Sequence, residues 1–262
     1  MDDVDYFEDA LFTVFEHHQP AHGDPGTEEQ YQNDALPAWC INKAAERCLV
    51  YRIPMASSSN TKLFAHHQWD AGVHLADMVV ANAPIDVRGR RVIELGAGTG
   101  LPSLAAAAQG AAYVVVSDYP DADILHNLEV NVARLQAQAH AQGLPPRALH
   151  VAGLAWGDKA QESALCEDGQ YDIVLAADVL WVSSQHENLL HSICALLRRD
   201  AAARCIVVAG FHTGRPATAR FFEAARTRGL ALDVEAPFHG WYERSFRGEE
   251  RAWQASVGNG SW

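Results

Sequence analysis

Two acidic residues and three glycines are the part of this chain whose types and spacing suit chemistry. Positions 91–100 read RVIELGAGTG, in which Val92, Ile93 and Leu95 run into Gly96, Gly98 and Gly100. Glycines at these points let the backbone approach a ligand where a Cβ would clash, and they tolerate positive φ. Glu94 stands at the carboxyl end of the apolar run, where open α/β sheets bind ligands. The stretch 113–121, YVVVSDYPD, carries a second run that ends in Asp118, 24 positions after Glu94. That is about where a nucleotide fold places the carboxylate that grips ribose hydroxyls. A dinucleotide loop reads G-x-G-x-x-G and turns a helix N-terminus toward a pyrophosphate. Here the pattern is E-x-G-x-G-x-G, and a carboxylate before the glycines repels phosphate but suits an ammonium group. S-adenosylmethionine (SAM) has an ammonium, a ribose and no phosphate. It is the expected ligand, and a nicotinamide-dinucleotide oxidoreductase fits less well.

The elements that must position these groups alternate along the chain. After the glycine turn, 101–109 reads as an alanine-rich helix and 113–117 as a strand. A helix follows over 122–140, with Asp121 as its N-cap. Further strands are expected at 148–151, 171–176 and 205–210, with helices at 187–198 and 215–228, the last ended by Gly229. Strands at 230–234 and 251–257, with no helix between them, are expected to pair antiparallel. The fold class is therefore α/β: a Rossmann-like, doubly wound, mostly parallel seven-stranded sheet with an antiparallel C-terminal strand pair. Residues 61–262 form that domain and residues 1–60 an extension. Within the extension, 6–15 reads as a helix, 17–33 as a polar loop or arm, 48–53 as a strand of a small hairpin, and 57–60 as a turn. Helical spacing of His67, Ala71, His74, Leu75, Met78 and Val79 predicts a helix within 60–83 that contains Trp69.

Composition narrows the function further. At 262 residues with 48% hydrophobic content, the chain suits one large domain with an ample core. A formal net charge of −13 argues against nucleic acid as partner and favours a basic one. Five scattered cysteines with no C-x-x-C suit reduced thiols in a cytoplasmic or nuclear protein. The acidic start, MDDVDYFEDA, reads as neither a secretory signal nor a transit peptide. No apolar run approaches the roughly 20 residues of a membrane helix, so no membrane role is expected. The adjacent pairs His17/His18 and His66/His67 do not share a helix face and lack companion ligands at metal spacing, so no metal is expected.

The ordered set ELGAGTG, SDYPD, LAWG and AADVLW resembles the seven-β-strand SAM-dependent methyltransferases, and more narrowly methyltransferase family 16. VVVSDYPDADILHNLEVNV is similar to the fungal nicotinamide N-methyltransferase-like group, some of whose members act on the N-terminal glycine and adjacent lysine of translation elongation factor 1-alpha. The resemblance runs over about residues 64–232. It implies that Trp69 packs against the cofactor and that Gly96, Ala97 and Gly98 line its methionine and ribose. It implies likewise that Asp118 takes the ribose hydroxyls, that Tyr119 and Trp156 flank the adenine, and that Ala177 and Asp178 border the transferable methyl group. Two departures stand out. Asp178 is followed by Val179-Leu180-Trp181 in place of the family's aromatic pair, and KLFAHHQ precedes Trp69 where the fungal group has a proline–leucine–tryptophan–glycine run.

A lysine acceptor has a reference pKa of about 10.4, so it must shed a proton before it attacks. Asp178 is the candidate to hold that amine and Trp181 the candidate channel wall, offering a cation–π surface. Further aromatics, Phe211-His212 and Phe238-His239-Gly240-Trp241-Tyr242, fall on later connections where an acceptor would enter. The expectation is a SAM-dependent N-methyltransferase that acts on a protein amine and releases S-adenosylhomocysteine. The alternatives are a small-molecule N- or O-methyltransferase and a SAM-binding subunit without turnover.

Overall fold

The computed structural model describes residues 21–42, 44–57, 63–211, 213–233, 242–244 and 250–252. The expected helix at 6–15, His17, His18, the turn residues 58–60, His212, residues 238–241 and the end of the expected strand 251–257 lie outside these residues. Ahead of the glycine turn the chain forms β1 (Ala21–His22), β2 (Glu28–Gln32), β3 (Cys48–Arg52), β4 (Gln68–Trp69) and helix α1 (Asp70–Ala81). It continues through β5 (Arg91–Leu95), α2 (Leu101–Ala108), β6 (Tyr113–Asp118), α3 (Ala122–Ala141), β7 (Leu149–Gly153) and α4 (Lys159–Leu165). Then come β8 (Ile173–Ala177), α5 (His186–Leu196), β9 (Arg204–Val208), α6 (Arg215–Thr227), β10 (Tyr242–Arg244) and β11 (Glu250–Ala252).

Five of these strands form one parallel sheet in the order β7-β6-β5-β8-β9. Strand alternation sends Val92, Val114, Val116, Ile173 and Leu175 to one face, where they meet α1, α2 and α3. Ile93, Leu95, Val115, Val174 and Ala176 go to the other, where they meet α5 and α6. Burial on both faces is why these strands read as nearly unbroken apolar runs. Chain order reverses on either side of β5, with β6 to one flank and β8 to the other, which makes the carboxyl end of β5 the topological switch point.

The segment before residue 60 shares this core. Strands β2 and β3 pair antiparallel, and Tyr31, Leu49, Tyr51 and Ile53 are buried in the same cluster as α1 and α2. Asn127 and Asn131 on α3 each donate to the carbonyl of Arg52 at 2.9 Å, and Asn131 Oδ1 accepts from the Arg52 N–H at 2.7 Å. The hairpin is thus tied to the first long helix after the site.

Several expectations need correction. The polar stretch 28–32 is a strand, although Tyr31 alone in it is buried, which left no alternation to read. The helix containing the periodic residues starts at Asp70, so Trp69 is its extended N-cap and pairs with Ala21 in the short β1–β4 ladder. Residues 230–233 form no strand. The antiparallel pair is instead β10 with β11, a separate two-stranded sheet, so five strands rather than seven make up the main sheet among the described residues. Helix α4 was not expected; Asp158 caps it by accepting from Ala160 N at 3.0 Å and Gln161 N at 3.1 Å.

Candidate active site

The glycine turn and Asp118 meet at the carboxyl ends of β5 and β6. Gly96, Gly98 and Gly100 all have positive φ, at 69°, 54° and 77°. Asp118 Oδ2 accepts from Gly98 N at 2.7 Å and its Oδ1 from Tyr119 N at 2.6 Å. Ala97 N donates to the carbonyl of Ser117 at 3.0 Å, which fastens the turn to β6. Each carboxylate oxygen thus holds one backbone N–H and has capacity for a second donor. Asp118 is 7% exposed, and burial pushes its carboxyl up to about 6 against the pull of the two N–H groups. Tyr119, next in the chain, is 52% exposed.

Glu94 lies beneath the turn at 1% exposure. Its Oε2 accepts from Ser103 N at 3.0 Å and bonds the Ser103 hydroxyl at 2.5 Å, so it caps the first turn of α2 from below. Burial pushes its carboxyl up to about 8, opposed by the Ser103 bonds and reinforced by Asp118.

Over the turn runs the segment 64–69. Phe64 has φ of 51°, a conformation bulky side chains rarely adopt, and its carbonyl accepts from the Trp69 indole N–H at 3.1 Å. Gln68 Oε1 accepts from the Thr99 hydroxyl, which fixes the segment to the glycine turn. The rings form a continuous series. Trp181 meets Phe64 edge-on at 4.8 Å, Phe64 and His66 stack at 6.3 Å, and His67 lies 4.3 Å from His66 and 5.3 Å from Trp69. Burial pushes the His66 imidazole down to about 4 and lowers that of His67.

Opposite, Trp156 follows β7 and Asp178 follows β8. A Cβ at Gly96 would stand 2.8 Å from Val179 Cγ1 and 3.1 Å from Trp156 Cζ2, so only glycine lets the turn pass between them. At Gly98 the nearest atom would be the Ala65 carbonyl at 3.9 Å, which leaves the backbone there facing open space. Ala177 ends β8, and Asp178 takes φ of 56°. The Asp178 N–H donates to Val208 O at 2.7 Å and its Oδ1 accepts from Gly210 N at 3.1 Å, so the turn is locked to β9. Three residues on, Trp181 reaches the Phe64 ring.

The nine residues expected at the cofactor come from five elements: Trp69 from β4, Glu94, Gly96, Ala97 and Gly98 from the end of β5, Asp118 and Tyr119 from β6, Trp156 from the loop after β7, and Ala177 from β8. Glu94 is the one set underneath the turn. Phe64 and Val179 were missed by sequence reasoning. Val179 has no polar chemistry to mark it, and Phe64 is separated from Trp181 by more than a hundred residues. Among the described residues, no three His, Cys, Asp or Glu converge as a metal-ligand group.

Sheet order, glycine turn and strand-end carboxylate together define a Rossmann-like α/β domain. Residues 55–228 match the family described as lysine methyltransferase, methyltransferase family 16, and the chain belongs to that family. It is 39% identical over 150 residues to the protein N-terminal and lysine N-methyltransferase EFM7 of Yarrowia lipolytica, covering 53% of this chain and 55% of that protein. The relative of the same name from Schizosaccharomyces pombe is 33% identical over 179 residues, covering 65% of this chain and 66% of the relative. The one from Eremothecium gossypii is 35% identical over 214 residues, covering 78% and 76%. The match to the first two therefore spans between half and two thirds of their length. Among solved structures, a ribosomal protein L11 methylase from Lactobacillus delbrueckii subsp. bulgaricus is similar at 16% identity over 74% of this chain and 77% of that one, with a TM-score of 0.43.

Proposed function

We propose that this chain is a SAM-dependent N-methyltransferase whose acceptor is a protein amine, either a lysine side chain or an N-terminal amine. The observation that carries the cofactor reading is the Asp118 carboxylate, held at 2.7 and 2.6 Å by the N–H groups of Gly98 and Tyr119 beside an open glycine turn. The donor set fits an adenosyl group. Asp118 would hold the ribose hydroxyls, Gly96, Ala97 and Gly98 the ribose and methionine, and Tyr119 and Trp156 the adenine. An indole supplies a flat apolar face for that contact. Trp69 closes the site from above, and Glu94, buried beneath the turn, supports it through Ser103. SAM supplies an electrophilic methyl carbon, and S-adenosylhomocysteine is the product.

The chain's own residues prepare the acceptor. Asp178 borders the reacting end and holds the incoming ammonium. The amine sheds its proton to solvent, and Trp181 and Phe64 then enclose it and exclude water, the desolvation favouring the neutral form that attacks. Holding the neutral amine in a near-attack pose would then supply the rate. A net charge of −13 suits a basic protein partner and makes nucleic acid an unsuitable one. The names of the relatives, protein N-terminal and lysine N-methyltransferases, support the same acceptor class. The proposed setting is the cytoplasm or nucleus.

The test is transfer from isotope-labelled SAM to fractionated protein from the source cells and, separately, to a panel of small amines. A labelled protein band supports the reading, and its site follows from mass spectrometry. Label confined to small amines overturns the protein acceptor. SAM binding with no label anywhere overturns turnover.

A further inference from the structure

Trp156 is presented by a loop whose backbone is clamped on both sides. The N–H of Ala155, before it, donates to Gln161 Oε1 at 2.7 Å. The N–H of Gly157, after it, donates to Ser192 Oγ at 2.9 Å. The Ser192 hydroxyl in turn donates to Glu162 Oε1 at 2.6 Å, and His191 Nδ1 lies 3.0 Å from the same oxygen and 2.9 Å from Oε2. Ser192 has 0% of its surface exposed and Glu162 3%, whereas the His191 side chain opens to solvent. Gly157 has φ of 84°, and a Cβ there would stand 2.9 Å from Asn188 Oδ1, so the loop rests directly on α5.

A carboxylate buried on a seven-residue helix is costly unless its partners use it. Here its partners are the serine that receives the loop's N–H and a histidine at the surface. Their common effect is to fix the peptide units on either side of the indole that faces Gly96.

We infer that Ser192 and Gln161 are positioning residues for the cofactor. They act through the backbone of residues 155–157 to hold Trp156 at the adenine, with Glu162 and His191 fixing the Ser192 hydroxyl from behind. The inference rests on the reading that Trp156 flanks a bound nucleoside. Releasing either clamp leaves a backbone N–H without its partner and lets the indole swing, so affinity falls without loss of any group that touches the ligand.

The experiment is a double-mutant cycle read by calorimetric titration with SAM, using Ser192→Ala and Gln161→Ala, each in the native background and in Trp156→Ala. In the native background each substitution should weaken SAM by about tenfold, equivalent to ~1.4 kcal/mol. In the Trp156→Ala background the same substitutions should cost less than about twofold. An undiminished loss in Trp156→Ala would mean that the residues act on the fold at large, and native affinity in both single variants would mean that the clamps are idle. Either result overturns the proposal. If Ser192→Ala does not fold, the Gln161→Ala arm decides it alone. A native protein that binds no SAM would refute the functional reading itself, an outcome distinct from both.

Discussion

Replacing Asp118 by Asn is the sharpest test of the cofactor site, because it keeps the volume and removes the charge. In the native site each carboxylate oxygen already accepts one backbone N–H, from Gly98 at 2.7 Å and Tyr119 at 2.6 Å, and has room for one ribose hydroxyl. Hydrogen bonds to charged groups contribute roughly 1.5–3 kcal/mol each. The amide keeps one acceptor oxygen, so about one such bond is lost and the other weakens, a cost of about 2–4 kcal/mol. That corresponds to a Kd for SAM raised about 30- to 700-fold. The amide NH2 must also face one of the two backbone donors, which lowers stability by roughly 1–3 kcal/mol. Titration calorimetry from pH 5 to 8 adds a second signature. The carboxyl sits at about 6 without ligand, and ribose hydroxyls favour its ionised form. Native affinity should therefore climb as pH rises toward about 6 and level off above it, whereas Asp118→Asn should stay flat across that window. A folded Asp118→Asn protein that binds SAM within threefold of native, or native affinity independent of pH between 5 and 7, would refute the reasoning.

Gly96→Ala should weaken SAM at least tenfold and lower the melting temperature, since its Cβ meets Val179 at 2.8 Å in a left-handed backbone; unchanged binding would show that the turn has slack. Trp181→Ala and Phe64→Ala should each leave SAM affinity near native while raising the acceptor KM severalfold. Loss of SAM binding in either would make the ring pair a support for Trp69 rather than a wall of the acceptor channel. Glu94 provides a stability test with a defined sign. Its carboxyl rises from an ordinary 4.5 to about 8 on folding, so the folded chain binds the extra proton and this residue's contribution declines as pH rises through that interval. Asp118 acts in the same sense from 3.8 to about 6. Thermal melts should therefore show Glu94→Gln gaining on the native protein between pH 5 and 8. A constant difference across that range would place the glutamate outside the titrating set.

The part of the molecule around the glycine turn was legible because its signals are local. Strand, glycine turn and strand-end acid follow one another within a single αβ unit, and burial on both faces makes the strands apolar throughout. Where legibility failed, the deciding contacts were distant in the chain. Trp69 read as helical because the apolar spacing of α1 extends back to His67, but the left-handed turn at Phe64 and the β1–β4 pairing hold it extended. Strand β2 shows a single buried residue, too few for any period. The strand expected at 230–234 rested on apolar content alone, and residues 230–233 are coil, while the observed pair is three residues per strand and rich in charge. Ser192, Gln161 and Glu162 carry no motif. Their relation to Trp156 exists only once α4 and α5 are packed.

The order of the sheet has a bearing on how such a protein changes its habits. Everything assigned to the nucleoside, Gly96 through Asp118 to Trp156, hangs from β5, β6 and β7 on one flank of the switch point. Asp178, Trp181 and Phe211 hang from β8 and β9 on the other. Beside the glycine turn, Val179 of the second flank lies against Gly96 of the first, and Phe64, from the segment before β4, reaches Trp181. A lineage, or an engineer, is thus free to rewrite the loops after β8 and β9 while the glycine turn and strand ends of the first flank are inherited intact. Val179 and Phe64 are the two positions at which such an exchange would have to be matched.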